Sequence, residues 1–349
     1  MKFLITGGAG MVGSHCAEFF GNQGHEVLVF DNLMRSNIFG SEKKSVEHNW
    51  NYLESIGDIT LVKADIRDVD TLENVFSQFR PDVVIHAAGQ PGVRMSIENP
   101  TEDYSINSTG TLNVLEALRK NNESGIFIYC STNKVYGTNI ESHELIEEDL
   151  RYRFRDITGI KETVSIDRTG HTPYGVSKLA GELYVQDYAY TYGMRTGIFR
   201  MSCIYGTRQF GFEDQGWIAW FCGRFLTGES ITLYGDGKQV RDVLWITDLV
   251  SAFDCFITSR KQHGVFNIGG GPNNTVSLLE LIQLLENITG KVVEIRNSEW
   301  RKFDQKVYVS NVDSLTESLG WLPTVSPEVG VELLMSWAES NRFLFLPSN

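Results

Sequence analysis

Residues 2–13 read KFLITGGAGMVG, and this stretch decides the fold. Its first five residues are mostly apolar and predict a short buried strand, and a helical pattern begins where the glycines end. Three glycines between strand and helix have the spacing of the phosphate-binding loop in dinucleotide-binding folds. Gly7 permits a tight turn, Gly10 lets the backbone approach a pyrophosphate, and Gly13 lets the helix pack closely on the strand. The amide groups at the helix start are then expected to face the phosphates.

A second apolar strand, residues 26–30, ends in Asp31. An acidic residue at this distance from the glycine loop suits the adenosine ribose hydroxyls of NAD and would repel the additional phosphate of NADP. Arg35 lies nearby and is able to accept that phosphate, so the strictness of the NAD preference stays open. An ordinary glycine turn with Asp31 as a helix cap is the alternative, and it becomes weak once strand, loop, helix and acid are combined.

The composition is that of a globular protein, with 349 residues, 42% of them hydrophobic, and a net charge of −13. The acidic balance and the lack of a dense basic run argue against nucleic-acid binding. No run of residues has the apolar length that spans a bilayer, and no signal-peptide pattern is visible. The five cysteines are scattered without metal-ligand spacing. We therefore expect a cytoplasmic protein that binds no nucleic acid, no membrane and no metal.

Near-continuous apolar strands alternate with helical patterns through the first half of the chain, which predicts a parallel sheet covered by helices on both faces. We expect a Rossmann-type, doubly wound α/β domain that binds NAD over residues 1–207, with residues 240–270 returning to it. A smaller C-terminal lobe that binds the substrate is expected over residues 208–239 and 271–349.

Two stretches interrupt the alternation of strands and helices. Residues 36–57 are polar and predict an insertion before the third strand. Residues 138–172 are rich in charged and β-branched residues and predict an irregular excursion with one hairpin.

Tyr174 and Lys178 are four residues apart within a predicted helix, so their side chains project from the same face. The Lys178 ammonium is therefore expected to favour the phenolate of Tyr174 and to lower the pKa of that phenol. A phenol tuned in this way takes a proton from a sugar hydroxyl while hydride leaves the adjacent carbon. Lys178 is also placed to hold a nicotinamide ribose. Taken alone, the two residues would more readily be an exposed Tyr–Lys pair on a helix.

Ser131 and Thr132 follow a core strand at residues 126–130, where parallel strands of such folds bind ligands. Thr132 is expected to hydrogen-bond the reacting hydroxyl, although strand-end capping would also explain one of these two hydroxyls. An acidic protein needs local cations wherever it binds an anion, and Arg241 and Arg301 can each make bidentate bonds to phosphate oxygens. A surface ion pair with a nearby acid is the alternative role for Arg301.

These motifs resemble the extended short-chain dehydrogenase/reductase family, especially its nucleotide-sugar epimerases and dehydratases. The resemblance covers nearly the whole chain and rests on residues 6–13, 31–32, 65–66, 86–89, 107, 131–132, 174, 178 and 241–243. It implies a catalytic set of Thr132, Tyr174 and Lys178, with NAD as the cofactor and with Asp65 and Ile66 beside the adenine. The expected NAD contacts are Gly7, Gly10, Met11, Val12, Gly13, Asp31, Asn32, Arg35, Asp65, Ile66, Ala87, Ala88, Gln90, Asn107, Ser131, Tyr174, Lys178 and Met201.

A narrower resemblance, to the CDP-paratose 2-epimerases (also called CDP-tyvelose epimerases), is visible in residues 131–137, 208–210, 214–217, 220–222 and 235–243. It implies inversion of carbon 2 in a CDP-linked 3,6-dideoxyhexose through a transient 2-keto sugar, with no net consumption of NAD, by a homodimer or tetramer. Such sugars belong to surface polysaccharides such as lipopolysaccharide. The expected substrate contacts are Gln90, Thr132, Asn133, Cys203, Gln209, Gln215, Arg241, Arg301 and Asp304.

Asn133 and Lys134 stand where the dehydratases of this family carry the acidic pair that eliminates water, which argues against a 4,6-dehydratase. Cys203 stands where many 4-epimerases have an asparagine, so the sugar–phosphate end is expected to sit differently. A UDP- or GDP-sugar epimerase of the 4-epimerase type stays the alternative, because it would keep every catalytic residue. A non-enzymatic NAD-binding scaffold is less favoured, since it would need neither Tyr174 nor Lys178.

Overall fold

A computed structural model describes residues 1–35 and 43–345, so residues 36–42 of the expected polar insertion lie outside the described part. The chain divides into two compact units. The first comprises Met1–Val135, His171–Arg200 and Val250–Phe266, and the second comprises Tyr136–Gly170, Met201–Leu249 and Asn267–Asn349.

This division differs from the expected domain boundaries at residues 136–170, 201–207, 240–249 and 267–270, which lie in the second unit. Apart from Met201 at the end of β8 and residues 267–268 at the end of β12, these segments lie outside the strands of the large sheet. The assignment of substrate binding to a C-terminal lobe stays a prediction.

The strands, in chain order, are β1 (Lys2–Thr6), β2 (Glu26–Asp31), β3 (Ile59–Lys63), β4 (Val83–His86), β5 (Ile126–Thr132), β6 (Leu145–Glu147), β7 (Tyr152–Phe154), β8 (Arg195–Met201), β9 (Cys203–Tyr205), β10 (Ile231–Tyr234), β11 (Val240–Trp245), β12 (His263–Ile268), β13 (Thr275–Ser277), β14 (Ile295–Ser298) and β15 (Val307–Tyr308).

The α-helices are α1 (Met11–Asn22), α2 (Lys43–Ile56), α3 (Val69–Phe79), α4 (Val93–Glu98), α5 (Pro100–Tyr104), α6 (Gly110–Asn121), α7 (Thr172–Tyr192), α8 (Trp217–Thr227), α9 (Ile246–Thr258), α10 (Leu278–Thr289), α11 (Asp313–Leu319) and α12 (Pro327–Ser340). A π-helical turn, Ser105–Thr109, joins α5 to α6, and 3-10 turns occupy Asn133–Ser142 and Arg342–Leu344. None of the described helices combines the length and the apolar character needed to cross a membrane.

The first unit is built on a seven-stranded sheet with the strand order β12-β8-β5-β4-β1-β2-β3. The pairings that join β3, β2, β1, β4 and β5 are all parallel. Strand β1 lies between β2 and β4, so the strand order reverses there, and doubly wound folds bind ligands at such a switch point. The predicted Rossmann-type sheet is confirmed.

Strands β1 and β4 lie in the interior of this unit. Phe3, Leu4 and Ile5 of β1 are fully buried, and so are all four residues of β4. A strand covered by helices on both faces must be apolar continuously rather than at alternate positions. The near-continuous apolar runs of the sequence therefore correspond to the central strands of the sheet.

The glycine loop between β1 and α1 brings backbone against backbone. Gly7 has a φ of +68°, and a Cβ added there would lie 2.5 Å from the amide nitrogen of Ala88. A Cβ added to Gly13 would lie 2.3 Å from the carbonyl oxygen of Gly7. A side chain at either position would force the loop apart, so these two glycines act as the sequence predicts.

The second unit is organised around β11, which pairs in parallel with β9 and β15 and antiparallel with β13. Strands β6 and β7 form an antiparallel hairpin, which confirms the hairpin predicted in the excursion. The buried carboxylate of Asp242 on β11 accepts hydrogen bonds from the Ser202 hydroxyl at 2.5 Å and from the Gly271 amide at 3.3 Å. These bonds tie the middle of the sheet to the loops beside it.

Two alanine substitutions in α1 test the glycine packing. Gly13→Ala should lower the free energy of unfolding by about 1–3 kcal/mol, because the added methyl group overpacks the loop. Gly21→Ala in the same helix should raise it by up to about 1 kcal/mol, because the nearest atoms to an added Cβ are 3.8 Å away. Urea-induced unfolding of the two variants measures both effects. Equal midpoints for the two variants would contradict the close approach of α1 to the loop.

Candidate active site

The structure brings Thr132 and Tyr174 together. Thr132 is the last residue of β5, and Tyr174 lies in the first turn of α7. The Thr132 hydroxyl lies near the Tyr174 phenol and acts to lower the pKa of that phenol. The backbone amide of Lys134 donates to the Thr132 hydroxyl at 3.2 Å, and the amide of Tyr174 donates to the Ser96 hydroxyl at 3.0 Å. Backbone contacts thus hold both side chains that are expected to touch a substrate hydroxyl.

Lys178 lies one turn after Tyr174 and is only 5% exposed. Its ammonium lies 4.3 Å from the centroid of the Tyr129 ring, in a cation–π contact. Burial lowers the pKa of Lys178 to about 8, against the opposing effects of Cys130, Asp103 and Glu182. Lys178 is thus a buried cation that begins to lose its proton not far above neutral pH.

The expectation that Lys178 lowers the pKa of Tyr174 is wrong for this structure. Burial, together with smaller contributions from Asp103 and Cys130, raises the pKa of Tyr174 to about 12, and the Thr132 hydroxyl opposes the rise. The physical reason is the order of titration: Lys178 releases its proton near pH 8, well before the phenol ionises. No ammonium then remains beside Tyr174 to stabilise a phenolate.

A buried ion pair joins α7 to β8. The Arg200 guanidinium donates to the Glu182 carboxylate at 2.5 Å, and their side chains are 5% and 0% exposed. The Ser131 hydroxyl donates to the same carboxylate at 2.7 Å. Ser131 therefore links the end of β5 to α7, which matches the strand-end role that the sequence left open for one of the two hydroxyls.

Four polar side chains form a buried cluster beside Lys178. Asn107 accepts from the Gln90 amide at 2.8 Å and donates to the Asp103 carboxylate at 3.1 Å and to the Ser177 hydroxyl at 3.1 Å. The Gln90 side chain also donates to Asp103, at 2.8 Å. The expected NAD or sugar contact of Gln90 stays a prediction, because its amide is already used within the protein. The sequence reasoning missed Asp103, and its place four residues before Asn107 was the available signal.

The start of α1 suits an anionic group. Gly10 is the N-cap of α1 and no side chain caps the helix. Within the described residues a Cβ on Gly10 would meet just one atom, the Gly7 oxygen, at 3.1 Å. Met11 and Val12 open the helix and are half-buried. Uncapped amides with open space before them fit a pyrophosphate.

Asp31 stands beside this loop at the end of β2. Its carboxylate accepts from the Ala9 amide at 2.9 Å and from the Leu33 amide at 2.7 Å. Burial raises the pKa of Asp31, while those two bonds and the charge of Arg35 oppose the rise. Asp31, the acid expected at the ribose, is therefore hydrogen-bonded to the glycine loop. This position fits a residue that binds a nucleotide ribose next to its phosphates.

The residues expected at the adenine divide into a polar and an apolar part. Asn32 donates to Asp65 at 2.8 Å, and Arg67 binds the same carboxylate with two nitrogens. The Arg67 hydrogen bonds lower the pKa of Asp65 to about 2. Ile66 is 5% exposed and packs in the core against Gly110. Ala88 lies at the Gly7 turn, and its amide donates to the Thr6 hydroxyl at 3.4 Å, next to Ala87.

Both cations expected at a diphosphate are paired with acids in the second unit. Arg241 donates to Asp304 at 2.6 Å, and Arg301 lies 3.0 Å from Asp214. The Arg301 guanidinium also stacks on the Tyr234 ring, 3.8 Å from its centroid. The surface ion pair considered for Arg301 is present, so an incoming anion would compete with Asp214.

The remaining residues are Met201, which was expected at NAD, and four that were expected at the substrate. Met201 ends β8 and is half-buried, and Asn133 is buried just beyond Thr132. Cys203 on β9 accepts a hydrogen bond from the Trp217 indole at 3.5 Å. Gln209 is buried and donates to the Ile204 carbonyl at 3.1 Å. Gln215 pairs through its backbone with Phe212. No role of these residues at a sugar follows from these contacts alone.

Comparison with known proteins gives consistent matches. The model of the NAD dependent epimerase/dehydratase family matches residues 3–269. CDP-paratose 2-epimerase of Salmonella typhi is 40% identical over 97% of this chain and 100% of its own length. UDP-glucose 4-epimerase of Thermotoga maritima, solved with UDP-glucose, is 31% identical with a TM-score of 0.83, covering 98% of this chain and 100% of that one. UDP-glucose 4-epimerase of Thermus thermophilus, solved with NAD, is 30% identical with a TM-score of 0.79, covering 97% and 98%.

The raised pKa of Tyr174 predicts how stability depends on alkaline pH. An unfolded phenol ionises near pH 10, whereas the native phenol holds its proton to about 12. The unfolded state then binds fewer protons across this window, so the free energy of unfolding should fall as pH rises through it. Tyr174→Phe should remove part of that fall. Denaturant unfolding at several pH values measures it, and ultraviolet difference absorbance should show no tyrosinate from Tyr174 at pH 10.

The buried ion pair predicts a large stability effect. Glu182→Gln should lower the free energy of unfolding by about 3–5 kcal/mol, because Arg200 is left buried without a counter-charge. Glu26→Gln serves as the control, since Glu26 forms an exposed pair with Lys2 at 3.4 Å. That change should stay within about 0.5 kcal/mol. Similar losses in both variants by urea unfolding would contradict the assignment of the Glu182–Arg200 pair.

Proposed function

Because the chain belongs to the NAD dependent epimerase/dehydratase family, we propose that it inverts carbon 2 of a CDP-linked 3,6-dideoxyhexose, in the manner of CDP-paratose to CDP-tyvelose. It is an NAD-dependent nucleotide-sugar epimerase. The observation that carries the finer proposal is the full-length match to CDP-paratose 2-epimerase at 40% identity. The UDP-glucose 4-epimerases match at 30–31% over a similar length.

The residues after Thr132 support an epimerase over an elimination enzyme. Asn133 and Lys134 follow Thr132 directly, and neither carries a carboxyl group. Elimination of water from a sugar needs an acid and a base beside the reacting carbons. Inversion by oxidation and reduction needs one group that removes a proton and returns it, and Tyr174 beside Thr132 supplies that group.

The glycine loop, Asp31 and Lys178 are proposed to hold NAD. When bound, NAD supplies the reversible oxidation of the substrate alcohol to a ketone. Tyr174 must first lose its own proton, and as the phenolate it then removes the proton of the hydroxyl on carbon 2 and later returns it to the same oxygen. Thr132 orients that hydroxyl by hydrogen-bonding to it beside Tyr174. The 2-keto sugar turns between the two proton transfers and presents its other face.

Arg241 and Arg301 are proposed to bind the diphosphate, with Asp304 at the nucleotide ribose. Each arginine must leave or share its present acid to do so, which makes the two ion pairs part of substrate recognition. The same proposal includes a base preference for CDP, assembly as a homodimer or tetramer, a cytoplasmic location and a role in lipopolysaccharide synthesis. All five cysteines are thiols, which suits a reducing compartment.

The experiment is incubation of the purified protein with CDP-, UDP- and GDP-hexoses in heavy water, followed by proton NMR of the products. The proposal expects inversion at carbon 2 of the CDP-sugar without solvent deuterium at that carbon. Inversion at carbon 4 of a UDP- or GDP-sugar would assign the protein to the alternative. Deuterium at the inverted carbon would mean direct proton exchange and would reject the oxidation and reduction.

Tyr174→Phe should reduce turnover by at least about a hundredfold, since general acid–base groups contribute on that scale. Tyr190→Phe is the matched control, because Tyr190 lies on the same helix and is 78% exposed. Its turnover should equal that of the wild type. Near wild-type turnover by Tyr174→Phe would remove the proposed proton transfer.

A further inference from the structure

Asp103 is a buried acid that the mechanism does not use. It lies in α5 and is only 1% exposed, and its Oδ2 atom has no hydrogen-bond partner. Its Oδ1 atom accepts from Gln90 at 2.8 Å and from Asn107 at 3.1 Å. One oxygen of this buried carboxyl group is hydrogen-bonded and the other is not, and a buried polar atom without a hydrogen bond calls for an explanation.

The two amides show that Asp103 acts as an acceptor. The Asn107 side chain is oriented by backbone groups, since it accepts from the Gln90 amide and donates to the Gln90 carbonyl at 3.0 Å. The Gln90 side chain is oriented in the same way by the amide and carbonyl of Gly92. Both NH2 groups must therefore face Asp103. A carboxylate, which only accepts, fits this arrangement.

Lys178 needs a counter-charge in the same pocket. Among the described residues its ammonium has no carboxylate within 4 Å, and it contacts the face of the Tyr129 ring. Glu182 is already neutralised by Arg200. The Cys130 thiol stays protonated, since burial raises its pKa to about 12. Asp103 is left as the uncompensated negative charge near Lys178, because its partner Asn107 and the Lys178 ammonium lie 3.0 and 3.9 Å from the same point, where a Cβ on Gly89 would stand.

The other groups around Lys178 do not supply that charge. His86 of β4 is neutral, because burial and then Lys178 lower its pKa to about 3. Tyr174 stays protonated to about pH 12. On α4, which packs against α5 and α7, Arg94 and Glu98 are exposed to solvent, and water screens their charges.

We propose that Asp103 is a positioning residue whose fixed negative charge keeps the buried ammonium of Lys178 protonated at neutral pH. The inference rests on the role proposed above for Lys178. Asp103 acts through Lys178 and touches neither sugar nor cofactor. Its bonds to Gln90 and Asn107 hold the carboxylate at a set place, so the charge is part of the site rather than a solvated side chain.

The test is NMR titration of the protein labelled with carbon-13 at the lysine ε-carbon. The Lys178 signal is assigned by its loss in Lys178→Arg. Lys178 should titrate with a midpoint near pH 8 in the wild type. In Asp103→Asn the midpoint should lie about one pH unit lower, since a nearby charge shifts a pKa on that scale. In the wild type a second, smaller inflection should appear in the acidic range, where Asp103 takes up its proton.

Two control variants separate charge from structure. Ser177→Ala removes a hydroxyl from the cluster and keeps the carboxylate, and Glu98→Gln removes one exposed charge from α4. The Lys178 midpoint should stay near that of the wild type in both. In Asp103→Asn, turnover should fall at pH 8 and recover as the pH is lowered, whereas a purely structural loss would persist at every pH.

An unchanged Lys178 midpoint in Asp103→Asn, or the absence of the acidic inflection in the wild type, would overturn the proposal. The titration needs neither NAD nor a sugar. A failure of the CDP-sugar assignment would therefore leave its outcome intact, and the two failures are distinguishable. Should Asp103→Asn not fold, the wild-type inflection alone decides.

Discussion

The close approach of backbone to backbone at the glycine loop is the constraint on which the rest of the first unit depends. Strand β1 is central, and the Gly7 turn at its end leaves no room for a side chain against Ala88. The loop therefore lies directly on the end of β4. His86 reinforces this junction, because its ring bridges the Thr6 hydroxyl at 2.7 Å and the Thr111 hydroxyl at 3.0 Å. The ends of two strands and the start of α1 are thus fixed together.

Burial rather than proximity of charges sets the chemistry around α7. Lys178 and Tyr174 are one turn apart, yet burial moves the pKa of the amine down and that of the phenol up. Both shifts favour the neutral form, as expected when water is removed from ionisable groups. Charges persist in this region where a partner compensates them, as Arg200 does for Glu182. Apart from the Lys178 ammonium and the Asp103 carboxylate, the described groups around α7 are therefore neutral or paired.

In the second unit the two arginines expected at a diphosphate are paired with acids. Arg241 and Arg301 are held by Asp304 and Asp214, and Tyr234 supports Arg301 from one side. Paired guanidinium groups are pre-oriented and attract unrelated anions weakly. In a protein of net charge −13, only a ligand that replaces the acid with a better acceptor gains much by binding there. A diphosphate has that property.

The sequence alone determined the order of strands and helices, the glycine loop, Asp31 at the end of β2, and Tyr174 and Lys178 on one helix face. All of these follow from spacing within a few residues, which the chain carries locally. Only the tertiary structure decided that Ile66 packs in the core, that Gln90 is bonded internally, that Asp103 lies near Lys178, and that Tyr174 is harder to ionise. Each of these depends on which distant segments exclude water or supply a partner, and no local pattern records that.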